Sequence, residues 1–165
     1  YSGNDHAVAI ADHIAGSTEK FAEMMNAEAK KLMATNSHFV NPSGLHDDNH
    51  YTTAYDLYLI FNECIKHDEF VKIINSSSYT AHITGADGTK RDVKWEPTNY
   101  YAKGEATPPD NVTIIGGKTG TTKGAGNCLI LLTKDSSGNP YISIIMGAGS
   151  KPLLYQDMTS MLSKI

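Results

Sequence analysis

The sequence predicts an α+β fold in which a helical half precedes an antiparallel sheet that carries a final helix. Three observations support this prediction. Apolar residues recur at helical spacing through the first part of the chain, the spacing changes to that of strands after Ser78, and helical spacing returns at Lys151. We therefore expect one domain with a helical part, 1–78, and a sheet part, 79–165.

Composition limits the classes of function. The chain has 165 residues, 40% of them hydrophobic, which indicates a globular domain with a core. A net charge of -4 without a Lys/Arg-rich block argues against nucleic acid as a partner. No signal peptide is recognisable, which carries no weight if the chain is part of a longer one. Cys64 and Cys128 lie in apolar runs, which predicts buried free thiols; a disulfide between them is the alternative.

The first two predicted helices meet at Gly16 and Ser17. Gly16 is placed to end the helix DHAVAIADHIA, and Ser17 is placed as the N-cap of STEKFAEMMNAEAKKLMAT, which we expect to stop near Asn36. The apolar positions of the first helix are Val8, Ala11 and Ile14. Those of the second are Phe21, Met24, Met25, Ala29 and Leu32. Each set predicts one apolar face.

A third helix is predicted from Thr53, after the turn-rich loop NPSGLHDDNHY. Asp56 follows Thr53 by three positions, close to a capping box. A short fourth helix should open at Asp68. The buried face of the third helix is predicted to hold Leu57, Ile60, Phe61, Cys64 and Ile65.

Strand patterns dominate the rest of the chain. YTAHITGADGTKRDVKW predicts two strands around a Gly/Asp turn, and a loop with Pro97, Pro108 and Pro109 follows. NVTIIGGKTG, NCLILLT and NPYISIIMGAG predict three more strands, the last two joined by the hairpin turn KDSSGN. The final helix should point Leu154, Met158, Met161 and Leu162 inward.

The segment GGKTGTT, from Gly116, raises the possibility of a phosphate-binding loop. Such a loop needs the pattern G-x-x-x-x-G-K-[ST], because the residues between the glycines wrap the phosphates. Val112 stands six positions before Lys118, where that pattern requires glycine, and the segment is followed by another predicted strand rather than a helix. The pattern therefore disfavours nucleotide binding.

Three other short motifs have simpler explanations. His46 and His50 in HDDNH have the spacing of a zinc helix, but turn composition favours a polar loop. Ser17 and Lys20 in STEK fit the spacing S-x-x-K of a serine nucleophile and its lysine, yet a helix cap explains Ser17. EPTN, from Glu96 to Asn99, we interpret as a loop.

Two triplets gain significance as a pair. Ser2–Asn4 reads SGN and is predicted to lie just before a helix, whereas Lys118–Gly120 reads KTG and is predicted to lie on a strand. S-x-N together with K-T-G is typical of β-lactamases and penicillin-binding proteins.

The chain resembles the low-molecular-mass penicillin-binding proteins, which are serine D-alanyl-D-alanine carboxypeptidases. SGNDHAVAIADHIAGS is similar to the helix after the family's S-x-N motif, HFVNPSGLHDDNHYTTAYDL to its N-P-x-G-L and H-Y-[ST]-[ST]-A-x-D-L segment, and GGKTGTTKGAGNCLILLT to its K-T-G strand pair. The resemblance covers nearly the whole chain and implies a partial β-lactamase/DD-peptidase-like fold.

Two departures from the family stand out. The family's S-x-x-K serine precedes S-x-N, whereas this chain starts at Tyr1, immediately before SGN. The resemblance therefore implies a C-terminal part without the nucleophile, and it leaves Ser17 as a helix cap. Gly117 replaces the family's apolar residue before the lysine, which we expect to loosen the strand locally.

The resemblance implies catalytic roles for three residues. Ser2 would pass a proton between the lysine base and the leaving amine. Asn4 would hydrogen-bond the backbone amide of the substrate. Lys118 would supply positive charge that attracts the terminal carboxylate of D-Ala-D-Ala.

The resemblance also implies a substrate-binding role for the residues after the lysine. The hydroxyls of Thr119 and Thr121 would bind the carboxylate, Gly120 would leave room for the substrate along the strand, and the backbone N–H of Thr121 would form half of the oxyanion hole. The reaction would proceed through an acyl-enzyme without a metal or organic cofactor.

The implied function is a serine-type D-Ala-D-Ala carboxypeptidase outside the cytoplasm, acting on peptidoglycan pentapeptides and inhibited by β-lactams. Without a nucleophile, the chain alone should be inactive and should need self-association or the missing N-terminal part to cover its sheet. Two alternatives stay open: a non-catalytic protein that binds wall peptides, and a β-lactamase, disfavoured because no convincing deacylating glutamate is visible.

Overall fold

A computed structural model describes residues 1–165 and has the predicted α+β organisation. Four helices come first: α1 (Asn4–Ala15), α2 (Thr18–Lys31), α3 (Ala54–Cys64) and α4 (Asp68–Ile74). The rest comprises β1 (Tyr79–Thr84), β2 (Lys90–Trp95), α5 (Tyr100–Lys103), β3 (Val112–Thr122), β4 (Gly126–Asp135), β5 (Pro140–Ala148) and α6 (Lys151–Leu162). None of the helices is long and apolar enough to cross a bilayer.

The predicted junction between α1 and α2 is confirmed. Gly16 adopts a left-handed φ of 80° and its N–H donates to the carbonyl of Asp12, which ends α1. Ser17 caps α2, because its Oγ accepts a hydrogen bond of 3.2 Å from the backbone N–H of Lys20. The predicted end near Asn36 is wrong: the helix stops at Lys31, since Met33 turns the chain at a φ of 63°.

The start of α3 is confirmed, but the capping carboxylate has another partner. Thr53 Oγ1 accepts from the backbone N–H of Asp56 at 3.0 Å. Asp56 is only 1% exposed, and its Oδ2 accepts from the backbone N–H of Asn36 at 2.8 Å and from Ser37 Oγ at 2.7 Å. The carboxylate therefore anchors the segment after α2 onto α3 instead of completing a capping box.

The strands form two separate antiparallel sheets. β1 and β2 pair as a hairpin, whereas β3, β4 and β5 form a sheet in that order, so β3 is an edge strand. The short helix α5 lies in the segment that was predicted as a loop with three prolines. Asn99 caps it by accepting from the N–H of Tyr101 at 3.1 Å.

Close packing explains the glycines before Lys118. A Cβ on Gly116 would lie 2.1 Å from the carbonyl oxygen of Ile74, and a Cβ on Gly117 would lie 2.0 Å from that of Ile130. Gly117 pairs with Leu131, and the register shift in β3 lies just before it, between Ile114 and Gly116, so the expected loosening at Gly117 stays a prediction. Both glycines allow neighbouring backbone to approach β3.

The core lies between the three-stranded sheet and α6. Its buried residues are Tyr101, Val112, Leu129, Leu131, Ala148, Leu154, Tyr155, Met158 and Leu162. Three of the four residues predicted to point inward from α6 are in this set, and the fourth, Met161, packs against it. Periodicity did not predict the buried Tyr155. The core therefore holds β3, and with it Lys118, on a packed support.

Candidate active site

Ser2 and Lys118 meet in the structure although they lie 116 positions apart in the chain. Lys118 Nζ donates a hydrogen bond of 3.1 Å to Ser2 Oγ and a second, of 2.5 Å, to the carbonyl oxygen of Thr119. Ser2 is held by the start of α1 and Lys118 by β3, so the contact joins the helical part to the sheet part.

The electrostatics of Lys118 suit an anionic ligand. No carboxylate pairs with its ammonium group, and both hydrogen-bond partners are neutral oxygens. Part of the side chain stays exposed, but desolvation by the surrounding protein lowers the pKa of Lys118 from the ordinary lysine value. An unpaired, partly desolvated cation attracts an incoming carboxylate more strongly than one in bulk water.

A cavity of about 240 Å³ opens beside this contact. Four of the six predicted site residues line it: Ser2, Thr119, Gly120 and Thr121. A Cβ on Gly120 would meet nothing closer than Cys128 Cβ at 4.0 Å, so the missing side chain leaves space on the cavity side of the strand. Hydroxyl groups and a bare backbone therefore form one wall.

A larger cavity of about 470 Å³ is lined by Lys118 itself. Its wall includes Trp95, whose ring stacks on those of Tyr1 and Tyr79 at centroid distances of 5.2 and 6.0 Å. Glu69 and Glu96 add carboxylates at this wall. Sequence patterns did not predict this cavity, because its walls come from α4, β2 and β3.

Asn4 stands apart from the other predicted site residues. It is exposed in the first turn of α1, its side chain forms no hydrogen bond, and it lines neither cavity. Its predicted contact with the substrate amide stays a prediction, as do the roles assigned to the other five residues.

These residues and their order along the chain match a known family. The model of the D-alanyl-D-alanine carboxypeptidases matches residues 1–150. The chain belongs to this family.

Curated D-alanyl-D-alanine carboxypeptidases resemble the chain over most of its length. DacF of Bacillus subtilis is 31% identical over 98% of this chain and 39% of its own length. DacD of Escherichia coli is 34% identical over 90% of this chain and 35% of its own length. The chain thus spans well under half the length of these relatives.

Solved structures place the fold with the DD-peptidases, as the sequence predicted. The DD-transpeptidase of Streptomyces K15 superimposes with a TM-score of 0.85 at 28% identity, over 96% of this chain and 61% of that chain. DacD of Francisella tularensis superimposes with a TM-score of 0.80 at 25% identity, over 98% of this chain and 48% of that chain.

The motifs STEK and HDDNH and the two cysteines have structural positions and do not line up as a catalytic or metal site. Ser17 is a helix cap whose Oγ accepts from the backbone of Lys20. HDDNH is not helical, and His46 Nε2 lies 3.5 Å from the carboxylate of Asp48. Cys64 and Cys128 are free and half-buried.

Sequence reasoning missed several residues that line the smaller cavity. Thr98, Tyr100, Lys151 and Tyr155 contribute to its wall, as do Cys128 and Leu154. EPTN is a loop, as predicted, but Thr98 Oγ1 lies 2.5 Å from Thr119 Oγ1. The N-cap propensity of Asn99 could have predicted a fixed position for Thr98, because a helix that begins there holds the residue before it.

Proposed function

We propose that this chain is part of a serine-type D-Ala-D-Ala carboxypeptidase that acts on peptidoglycan pentapeptides. It provides the residues that bind the substrate carboxylate and that transfer the proton. The observation that supports this most strongly is the hydrogen bond of 3.1 Å between Lys118 and Ser2, beside a cavity lined by the hydroxyl residues of β3. Membership of the D-alanyl-D-alanine carboxypeptidase family supports the same reaction.

The edge position of β3 suits an extended peptide substrate. β3 pairs only with β4, so its other edge is free to hydrogen-bond a peptide backbone as an added strand. Gly120 lets that backbone approach closely. The terminal carboxylate of D-Ala-D-Ala would then lie among the Lys118 ammonium and the hydroxyls of Thr119 and Thr121, which donate charge-assisted hydrogen bonds.

Ser2 would carry a proton in the acyl-transfer step. A serine nucleophile forms a bond to the carbonyl carbon of the penultimate D-Ala, and its hydroxyl proton passes through Ser2 to the nitrogen of the leaving D-Ala as the C–N bond breaks. Lys118 holds the Ser2 hydroxyl in place and stabilises its oxygen during the transfer. Water then hydrolyses the ester and releases the shortened peptide.

The backbone N–H of Thr121 and the side chain of Asn4 complete the proposed binding set. The N–H would donate to the carbonyl oxygen as negative charge develops on it, and Asn4 would hold the amide on the other side of the scissile bond. Asn4 is solvent-exposed in the first turn of α1, so its side chain is free to rotate toward a bound peptide.

The nucleophile in this proposal lies outside residues 1–165. The S-x-x-K match within the chain is Ser17, whose Oγ is engaged as a helix cap and which lines neither cavity. The substrate and the β-lactams that imitate it imply a site facing the cell wall, outside the cytoplasm.

Mass spectrometry of the full-length gene product tests this proposal. After reaction with benzylpenicillin, the penicilloyl adduct should map to a serine outside residues 1–165. A Ser17→Ala variant should be acylated at the parent rate. An adduct on Ser17 or Ser2, or a parent protein that is neither acylated nor releases D-alanine from a D-Ala-D-Ala peptide, would refute the proposal.

A further inference from the structure

Thr98 lies where the loop before α5 meets the proposed carboxylate-binding strand. Its Oγ1 is 2.5 Å from Thr119 Oγ1, and Thr98 lines both cavities beside Lys118. We propose that Thr98 is a positioning residue that orients the Thr119 hydroxyl toward the terminal carboxylate of the substrate. This inference rests on the proposed carboxypeptidase function. It adds a residue that contributes to the recognition of the substrate carboxylate.

The segment that carries Thr98 is held firmly on α6. Asn99 is 4% exposed and caps α5 through the N–H of Tyr101. The N–H of Tyr100 donates to the hydroxyl of Tyr155 at 2.9 Å, and the two rings stack with centroids 4.5 Å apart and planes 4° from parallel. Because Thr98 directly precedes these contacts, its position follows from the core rather than from a free loop.

The tyrosine next in the chain strengthens the same attachment. Tyr101 is buried, and its hydroxyl lies 2.7 Å from Thr159 Oγ1 on α6. Thr119 is fixed on its own side, because β3 pairs with β4 and Lys118 Nζ donates to the Thr119 carbonyl oxygen. The two hydroxyls therefore meet between two supported elements.

The chemistry of the hydroxyl group determines which of the two threonines donates the hydrogen bond. Each hydroxyl has one proton to donate and two lone pairs to accept. If Thr119 donates its proton to a substrate carboxylate, the proton between the two oxygens must come from Thr98. A hydroxyl that accepts such a bond is also polarised and becomes a better donor. Thr98 would thus direct and strengthen the bond from Thr119 to the carboxylate.

The contact also selects the rotamer of Thr119. Threonine carries a methyl and a hydroxyl on the same carbon, so a rotation about χ1 exchanges the group that faces the substrate. The bond to Thr98 keeps the hydroxyl of Thr119 in place. Loss of the Thr98 hydroxyl should therefore weaken recognition of the carboxylate more than binding of the rest of the peptide.

The test uses the full-length gene product and two peptides that differ at one group. One peptide ends in D-Ala-D-Ala with a free carboxylate, and the other carries the C-terminal amide. For Thr98→Val, the ratio of kcat/KM for the acid to that for the amide should fall about fivefold to tenfold, as expected for the loss of one hydrogen bond between two neutral hydroxyls. Thr98→Ser should restore the ratio to within about twofold of the parent value.

Thr89→Val is the matched control, because Thr89 is exposed in the β1–β2 turn and its hydroxyl bonds only to Asp87. It should keep the parent ratio. A double-mutant cycle with Thr119→Val separates positioning from direct contact. If Thr98 acts through Thr119, Thr98→Val should cause little further loss in the Thr119→Val background. Additive losses would show direct contact with the substrate and would refute the positioning role.

Several outcomes would overturn the inference. An unchanged ratio in Thr98→Val would do so, as would failure of Thr98→Ser to restore it. If Thr98→Val does not fold, Thr98→Ala takes its place with the same expected fall, and failure of both to fold would make Thr98 a structural residue. If the parent protein cleaves neither peptide, the proposed function itself is refuted. If the parent prefers the acid and the Thr98→Val variant keeps this preference, only the role of Thr98 is refuted.

Discussion

The helical residues 1–78 and the sheet residues 79–165 bury their apolar side chains to different extents. In the helical part the buried apolar residues are four alanines and Phe61, and Ile10, Ile14 and Met24 are each more than half exposed. In the sheet part, large side chains such as Leu131 and Met158 are completely buried. The candidate site joins the two parts, with Ser2 from the first and Lys118 from the second.

The two sides of the site therefore have different supports. Lys118 lies on a strand that is packed against the core, whereas Ser2 precedes a helix with Ala11 as its fully buried residue. Regions with few buried apolar contacts open more readily than the core. We therefore expect the Ser2 side of the site to open more readily than the Lys118 side.

The largest expected effect is on the free energy of unfolding, when one methionine in each part is replaced by alanine. Met158→Ala in α6 should lower the free energy of unfolding by about 2–5 kcal/mol, because it leaves a cavity in the core. Met24→Ala in α2 should change it by about 0.5 kcal/mol or less, since Met24 is 51% exposed. Thermal or denaturant unfolding of both variants measures this, and equal losses would show that the helical part is covered as tightly as the sheet.

Gly117 tests the support of β3 itself. Gly117→Ala should destabilise the protein by about 1–3 kcal/mol, because the new Cβ would lie against the carbonyl oxygen of Ile130 and push β3 away from β4. Gly120→Ala, three residues along the same strand, is the control for stability, since its Cβ meets nothing closer than 4.0 Å. Comparable melting temperatures for the two variants would contradict this account of the strand.

The charge of Lys118 should appear in the pH dependence of ligand binding. Because desolvation lowers its pKa, Lys118 is fully charged at low pH and loses its charge at a lower pH than the ordinary lysine value of about 10.4. Affinity for acetyl-D-Ala-D-Ala should therefore fall, by about tenfold to a hundredfold, as the pH rises through this lowered pKa. Titration calorimetry on the full-length gene product would measure the fall.

Lys118→Arg gives the pH prediction its control. The guanidinium group stays charged throughout the range in which a lysine titrates, so any affinity that the variant retains should not decline over the same alkaline range. An identical alkaline decline in the parent and in Lys118→Arg would assign the titration to another group.

The smallest expected effect concerns the cap of α2. Ser17→Ala should lower the free energy of unfolding by about 1 kcal/mol, because the backbone N–H of Lys20 loses its acceptor. The rate of acylation by penicillin should not change. Ser17→Asn, which also caps helices well, should restore stability, and a loss of acylation in either variant would contradict the structural role of Ser17.

The sequence predicted the sheet part better than the helical part, for a physical reason. Periodicity shows that one face of a helix is apolar, and in α6 that face meets the sheet, so Leu154, Met158 and Leu162 are buried as predicted. In α2 the same reasoning placed Met24 on the apolar face, but no element of this chain covers it. Amphipathicity alone does not say what covers a face.

The candidate site shows the same limit. The motifs SGN and KTG identified Ser2 and Lys118 because a family resemblance joined them, and the structure brings them together. The contact of Thr98 with Thr119 and that of the Asp56 carboxylate with Asn36 were not predicted, because the partners lie 21 and 20 positions apart in the chain, in segments whose mutual position depends on tertiary packing. Local patterns do not report such contacts.

Release of D-alanine from a D-Ala-D-Ala peptide by a Lys118→Met variant of the full-length gene product tests the central claim most directly. Lys134→Met, an exposed lysine on β4 outside both cavities, is the matched control. The value of kcat/KM should fall at least about a hundredfold for Lys118→Met, as for the loss of a preorganised charge, and should stay at the parent value for Lys134→Met. Parent-level release by a folded Lys118→Met variant would contradict it.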